Sequence, residues 1–223
     1  MQAISKKPLF SAVPLEPGYR TRLIEGMLAS VAEKGYTDVS VMDIVRHAKV
    51  SKRTFYEHFA DKERCFIDAY SAISAELLGR VARGAAVGQT AEEKLALAIS
   101  AYIGALEEHR PLIRAFLSDV HAAGPAALAL RRTVLLRFAE LLRMMVETVR
   151  LTREDVRSLS PEMAMTIIGG VHELLLLMME KDHVDELKKV GETARELITS
   201  LLKLEEPPVV AAVPVPARRV RRA

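Results

Sequence analysis

The chain has 223 residues, 50% of them apolar but only 5% aromatic, so it can bury an ample aliphatic core with few large rings to fill it. Arg218, Arg219, Arg221 and Arg222 alone contribute four of the charges behind a net +3, so the high isoelectric point is weak evidence for a nucleic-acid partner. The single cysteine, Cys65, excludes an internal disulfide, and its apolar neighbours make it a small core residue.

Residues 1–16 contain Lys6, Lys7, Pro8 and Pro14 without a helical period, which fits a flexible arm and not a signal peptide. From about Pro17 a first helix begins, with Leu23, Ile24, Met27, Leu28 and Val31 on one face, and Gly35 suits its end. Ser40 and Asp43 form a capping box that opens a second helix, apolar at Val41, Ile44, Val45 and Ala48. Ala48-Lys49-Val50 is a tight turn, and Ser51 can cap a third helix that turns Phe55 and Phe59 inward. Lys52, Arg53, Thr54, Tyr56 and His58 then face outward.

A short, basic, donor-rich helix braced by a preceding one is what reading the major groove requires. From Arg46 through Arg53 there are four positive charges and no acid. A solvated basic helix would carry the same charge run, so the pattern alone leaves that alternative open. Lys52, Arg53 and Thr54 are placed to read bases. Ser40, Tyr56, His58 and Lys62 are placed to hold phosphates, with Ser51 at the helix N-terminus beside them.

The run Thr37-Asp38-Val39-Ser40-Val41-Met42-Asp43-Ile44-Val45, followed by Val50 to Phe59 and Asp61-Lys62-Glu63, closely resembles the DNA-binding domain of TetR-family transcriptional regulators. The resemblance covers roughly residues 17–78. It departs from the family at Lys49, where glycine is common and a left-handed backbone is expected, and at Arg53, where a small residue is common. The resemblance implies an all-α homodimer that binds a double-stranded DNA operator. Such proteins are usually repressors, whose bodies bind a small molecule and alter the spacing of the two heads. Ligand-independent regulation, activation, or a helical adaptor without DNA binding are the alternatives.

Beyond Asp61, Phe66, Ala69, Tyr70, Ile73 and Leu77 continue a connecting helix to about Arg83, where Gly84 and Gly88 break the pattern. Thr90 and Glu93 form a second capping box for a helix through Leu106. Segments follow at 111–122 and from Pro125 to about Arg150, and Ser160-Pro161-Glu162 opens the next helix. From Met163 to Met179 only Thr166, His172 and Glu173 are polar, so that helix is buried on more than one side. It falls short of the ~20 apolar residues of a membrane span, and no membrane partner is expected. The last helix, about 182–203, carries Leu187, Val190, Ala194, Leu197 and Leu201 as a heptad seam, which assigns them to a dimer interface. Residues 205–223 read as a disordered basic tail.

The expected architecture is therefore all-α with about nine helices: a helix-turn-helix unit within 17–78 and a regulatory and dimerisation body over 80–204. No His, Cys or carboxylate set has metal-ligand spacing, and no phosphate loop or nucleophile motif is present, so neither an enzyme nor a cofactor is expected. The body is rich in aliphatic and Met residues, which suggests a cavity for a small hydrophobic effector. Tyr102, His109, Arg114, Phe116, Phe138, His172 and Glu173, with His121, are the candidate contacts. A cytoplasmic, DNA-associated location follows from that reading.

Overall fold

The structure, a computed structural model, describes residues 18–180 and 186–203. The expected N-terminal arm and basic tail lie outside the described residues, as do the first residues of the expected last helix. Among those described there are nine α-helices and no strand: α1 Tyr19–Asp38, α2 Val41–Ala48, α3 Lys52–His58, α4 Lys62–Val87, α5 Ala91–Glu108, α6 Arg110–Ser118, α7 Pro125–Arg150, α8 Pro161–Glu180 and α9 Leu187–Leu202. A 3-10 turn, Asp119–His121, joins α6 to the loop before α7. The all-α expectation holds.

The helix starts follow the local chemistry of the sequence. Ser40 Oγ accepts the Asp43 N–H while the Asp43 carboxylate accepts the Ser40 N–H at 2.9 Å, closing the capping box. Thr90 and Glu93 do the same for α5, and Asp61 and Ser160 cap α4 and α8 with their side chains. Each such cap is worth about 1 kcal/mol of helix stability.

Helix α4 is the spine, roughly 39 Å long at 1.5 Å per residue. It packs against α1 on one side and against α5 and α7 on the other. One buried cluster runs from Leu23, Met27, Ile44 and Phe55 through Phe66 and Tyr70 to Leu106, Phe116, Leu175 and Leu187. The reading helices and the body therefore share a core. A second cluster joins α7, α8 and α9 around Leu142, Ala164, Ile167, Ile198 and Leu202.

Two expectations are corrected. Gly84 does not break α4, which runs on to Val87. It lies where α4 meets α5, and a Cβ there would stand 2.8 Å from the Leu97 carbonyl oxygen and 3.0 Å from Ala101 Cβ. The glycine is a close-approach residue, a role that a sequence pattern shares with a breaker. The seam on α9 also points inward. Leu187, Val190 and Ala194 are buried within the chain, against α5 and α8, and only Leu197 remains exposed, with Leu201 half-buried. A heptad fixes that a helix packs at a shallow angle but not on which partner.

Two expectations for helix α8 are also corrected: over Pro161–Met178 it is long and apolar enough to cross a membrane, and only 22% of that stretch is buried inside the chain. Its buried residues, Ala164, Ile167, His172 and Leu175, face α7 and α9. Thr166, Gly170, Glu173 and Leu177 form an exposed stripe on the far side.

The contact at Gly84 can be tested directly. Gly84→Ala should lower the melting temperature, because overpacking at a backbone contact costs about 1–3 kcal/mol. Gly104→Ala, on open α5 surface with nothing within 4 Å of the added Cβ, should raise it through helix propensity. Thermal unfolding followed by circular dichroism compares the two.

Candidate nucleic-acid interface and ligand cavity

The reading pair is held rigidly from behind. Phe55 and Phe59 are 0% and 2% exposed, so α3 can rotate very little about its own axis. The turn before it places Lys49 at φ 54°, ψ 46°, left-handed as expected, and Arg22 of α1 donates to the Lys49 carbonyl at 2.8 Å. Ser51 Oγ accepts the Thr54 N–H at 3.0 Å and lies 2.9 Å from Thr54 Oγ1. Lys52, Arg53, Tyr56 and His58 are exposed on the outer face, together with Ser40 and Ser51.

Not every cation in the run is equally available. Arg46 turns back to the α2 cap and pairs with Asp43 at 3.0 Å. The Ser40 hydroxyl, then Lys34, holds the Asp43 carboxyl well below the usual carboxylate range, so the cap stays charged. Arg53 pairs with Glu57 at 3.0 Å but is 90% exposed, a solvated pair worth little and readily exchanged for a base or phosphate. Lys49 and Lys52 form no ion pair among the described residues. Lys52 Nζ hangs 5.9 Å from the centre of the Tyr56 ring.

Lys62 leaves the expected phosphate-holding set. Its ammonium donates to the carbonyls of Tyr36 at 3.0 Å, Val39 at 2.9 Å and Thr37 at 3.4 Å, and sits 4.3 Å from the Tyr36 ring centre. Desolvation lowers its pKa. All three N–H donors are therefore directed at the C-terminal end of α1, where unpaired carbonyls and the helix dipole favour a cation.

The body encloses an elongated apolar space with an empty volume of about 1220 Å³, open solvent at its mouth included. Helices α4, α5, α6, α7, α8 and α9 all contribute walls. Tyr102, Phe116, Phe138 and His172 of the expected contacts line it. His109, Arg114, His121 and Glu173 do not: Arg114, His121 and Glu173 are on the surface, and His109 stands at the α5–α6 junction beside Glu108. Polarity within a helix does not say which side of it is dry, so these four share the sequence signal of a pocket residue without its position.

Two polar lining groups sit together at the end nearest the reading helices. Burial pushes the Tyr70 hydroxyl up to about 12, and burial together with Arg131 holds His172 down to about 4, so it is neutral near pH 7. Tyr102 is also raised by burial. Tyr70 and Phe116 stack at 5.0 Å, Phe116 on Phe66 at 5.1 Å, and Phe66 meets Tyr36 at 4.5 Å. An unbroken aromatic run thus leads from the cavity wall to the seat of Lys62. Beside it, Asp119 in the turn after α6 accepts the Tyr36 N–H at 2.8 Å.

Residues 23–69 match the profile of bacterial regulatory proteins of the tetR family. Over this segment the chain is similar to the TetR family. The match falls on α1–α3 and the start of α4, where the exposed basic face stands. A fatty acid metabolism regulator protein of Bacillus subtilis (strain 168) is 31% identical over 85 residues, 38% of this chain and 44% of that protein, so the chain spans less than half the length of this curated relative. In fold, the chain is similar to the transcriptional regulator FadR from Bacillus subtilis in complex with stearoyl-CoA, with a TM-score of 0.69 at 22% identity over 82% of this chain and 98% of that one. It is also similar to the fatty acid degradation regulator FadR from Bacillus halodurans, TM-score 0.63 at 19% identity over 81% and 96%. Salmonella enterica GusR gives 0.65 at 19% over 85% and 98%.

Several cavity-lining residues gave no pocket signal in the sequence. Ile73 and Leu77 of α4, and Val190 and Ala194 of α9, line the cavity although they read as connector and dimer seam, and Val81 and Ile198 line it beside them. Arg131 had a usable signal. It lies four and seven residues before Leu135 and Phe138, on the same face of α7.

The reassignment of Lys62 gives a discriminating expectation. Lys62→Ala should lower the melting temperature while leaving the salt dependence of DNA binding unchanged. Lys52→Ala should instead reduce the slope of log K against log salt by about 1 for each phosphate that the side chain neutralises. Mobility shifts between low and moderate salt, paired with thermal unfolding, measure both.

Proposed function

We propose that the chain is a DNA-binding transcriptional repressor that acts as a two-fold dimer on a palindromic operator and is released by a long-chain acyl effector. The observation that carries this reading is the juxtaposition of a rigidly seated, basic recognition helix with an apolar cavity, joined through one core. On this reading residues 17–78 serve DNA recognition and 80–204 serve regulation and dimerisation. Lys52, Arg53 and Thr54 read bases, while Ser40, Ser51, Tyr56 and His58 position the phosphates. The absence of built catalytic chemistry in the sequence and the regulatory family both argue against an enzyme.

The acyl class is supported by the lining, almost wholly aliphatic and aromatic, and by the relatives named for fatty acid metabolism. To empty the operator, the effector must bind the DNA-incompetent state better than the competent one, since equal affinity shifts nothing. A nearly complete switch needs roughly 5 kcal/mol of such preference.

Dimerisation is placed on the outer face of α8 and α9. Gly170 and Leu177 on α8 and Leu197 on α9 are uncovered, Leu177 and Leu197 being 40% and 43% exposed. A small residue lets a second copy approach closely, and uncovered apolar residues give it something to bury. This revises the expected seam, keeping Leu197 and Leu201 and replacing Leu187, Val190 and Ala194.

Two measurements test the function. Genomic fragments captured by the protein and sequenced should yield one palindromic site, and palmitoyl-CoA or oleate should release it in a mobility shift. Capture without a shared motif would sink the regulator reading. A shared motif untouched by either compound would leave a ligand-independent regulator. Separately, Leu177→Glu with Leu197→Glu should convert dimer to monomer in sedimentation and weaken operator binding roughly 100-fold or more, because the second head no longer binds at high effective concentration.

A further inference from the structure

Helix α7 presents Val134, Leu135, Phe138 and Leu142 to the cavity, and Arg131 stands one turn earlier on the same face. Arg131 Nη2 lies 3.2 Å from His172 Nδ1, and its Nε is buried without a hydrogen-bond partner. No carboxylate among the described residues forms an ion pair with it. A guanidinium is always charged and can only donate. His172 Nδ1 is therefore the acceptor, and the imidazole proton sits on Nε2. His172 is 7% exposed and lines the cavity, as does Tyr70, whose hydroxyl feels the Arg131 charge. Imidazole and phenol groups able to donate thus line an otherwise apolar space, and directly behind the imidazole stands a cation lacking a counter-ion among the described residues.

A half-buried charge without a counter-ion, its Nε buried and unpartnered, is costly, and the cost is recovered when an anion shares the site. We propose that Arg131, with His172 beside it, receives the carboxylate of a long-chain fatty acid whose hydrocarbon chain occupies the apolar cavity. This rests on the reading of the body as an acyl receptor and specifies the head group that it selects. A planar guanidinium matches the two oxygens of a carboxylate, and the unpartnered Nε supplies a donor. Neutral His172, kept so by burial and by Arg131, orients the guanidinium without competing for the anion's charge. Arg131 selects the ligand's charged end, while chain length is selected by the apolar walls.

Isothermal titration of the full chain with palmitate, 1-hexadecanol and palmitoyl-CoA tests the assignment. Wild type should bind palmitate about 10- to 100-fold more tightly than the alcohol of equal chain length, the range for a hydrogen bond to a charged group. Arg131→Met should abolish that ratio and leave the alcohol's affinity unchanged, and Arg131→Lys should retain part of it. Equal affinity of wild type for acid and alcohol would overturn the proposal without recourse to any variant. So would an Arg131→Met protein that weakens both alike, since that is the behaviour of a structural residue. Tight palmitoyl-CoA binding that ignores Arg131→Met, with palmitate no better than the alcohol, would overturn the carboxylate anchor yet leave the acyl receptor standing. No heat from any of the three, and no rise in melting temperature, would remove the acyl receptor itself.

Discussion

At the C-terminal end of α1 the backbone carbonyls of Tyr36, Thr37 and Val39 converge on the ammonium of Lys62, which also rests on the Tyr36 ring. This clasp sets the angle at which the connecting helix leaves the reading helices. Everything on either side depends on it. Toward the exposed basic face, α1 backs α2 and fixes the turn through Arg22 and the Lys49 carbonyl. Toward the body, Tyr36 touches Phe66, and Phe66 touches the rings that wall the cavity. A cation gathering three carbonyls in a partly dry setting favours one arrangement over small variants of it, because each displacement gives up a charge-assisted hydrogen bond.

Much of this was legible in the sequence, and for identifiable reasons. Helix starts depend on residues three apart, so Ser40–Asp43, Thr90–Glu93 and Ser160 could be read directly, and the structure uses each of them. The inward Phe55 and Phe59 and the left-handed Lys49 were equally local. What failed was the choice of partner. Lys62 looks like any exposed cation until its neighbours are known, and the seam on α9 is the same whether it meets a second chain or its own α5. Gly84 belongs with these, since only the position of Leu97 tells a break from a close approach.

The cavity was legible as a tendency rather than as a set of residues. An excess of aliphatic side chains over what single stripes need implied space to be walled, and Tyr102, Phe116, Phe138 and His172 stand at its surface. His109, Arg114, His121 and Glu173 do not, because polar residues on an apolar helix can equally face solvent. Arg131 shows the converse: a residue type expected on the surface, placed by helical phase against His172 of the wall.

Gly35, at φ 75°, interrupts α1 just before Tyr36, and a Cβ there would stand 2.9 Å from the Asp119 carboxylate that accepts the Tyr36 N–H. At this point of the shared core, backbone meets a single carboxylate, with no room for a side chain between them. This limits how such proteins can be recombined. A reading unit grafted from another chain would seat on this body only if it brought a glycine and a free amide in that order, and a body would accept a foreign unit only if it offered an acceptor where Asp119 stands. Compatibility between modules would thus depend on these two positions as well as on the packing of the shared core.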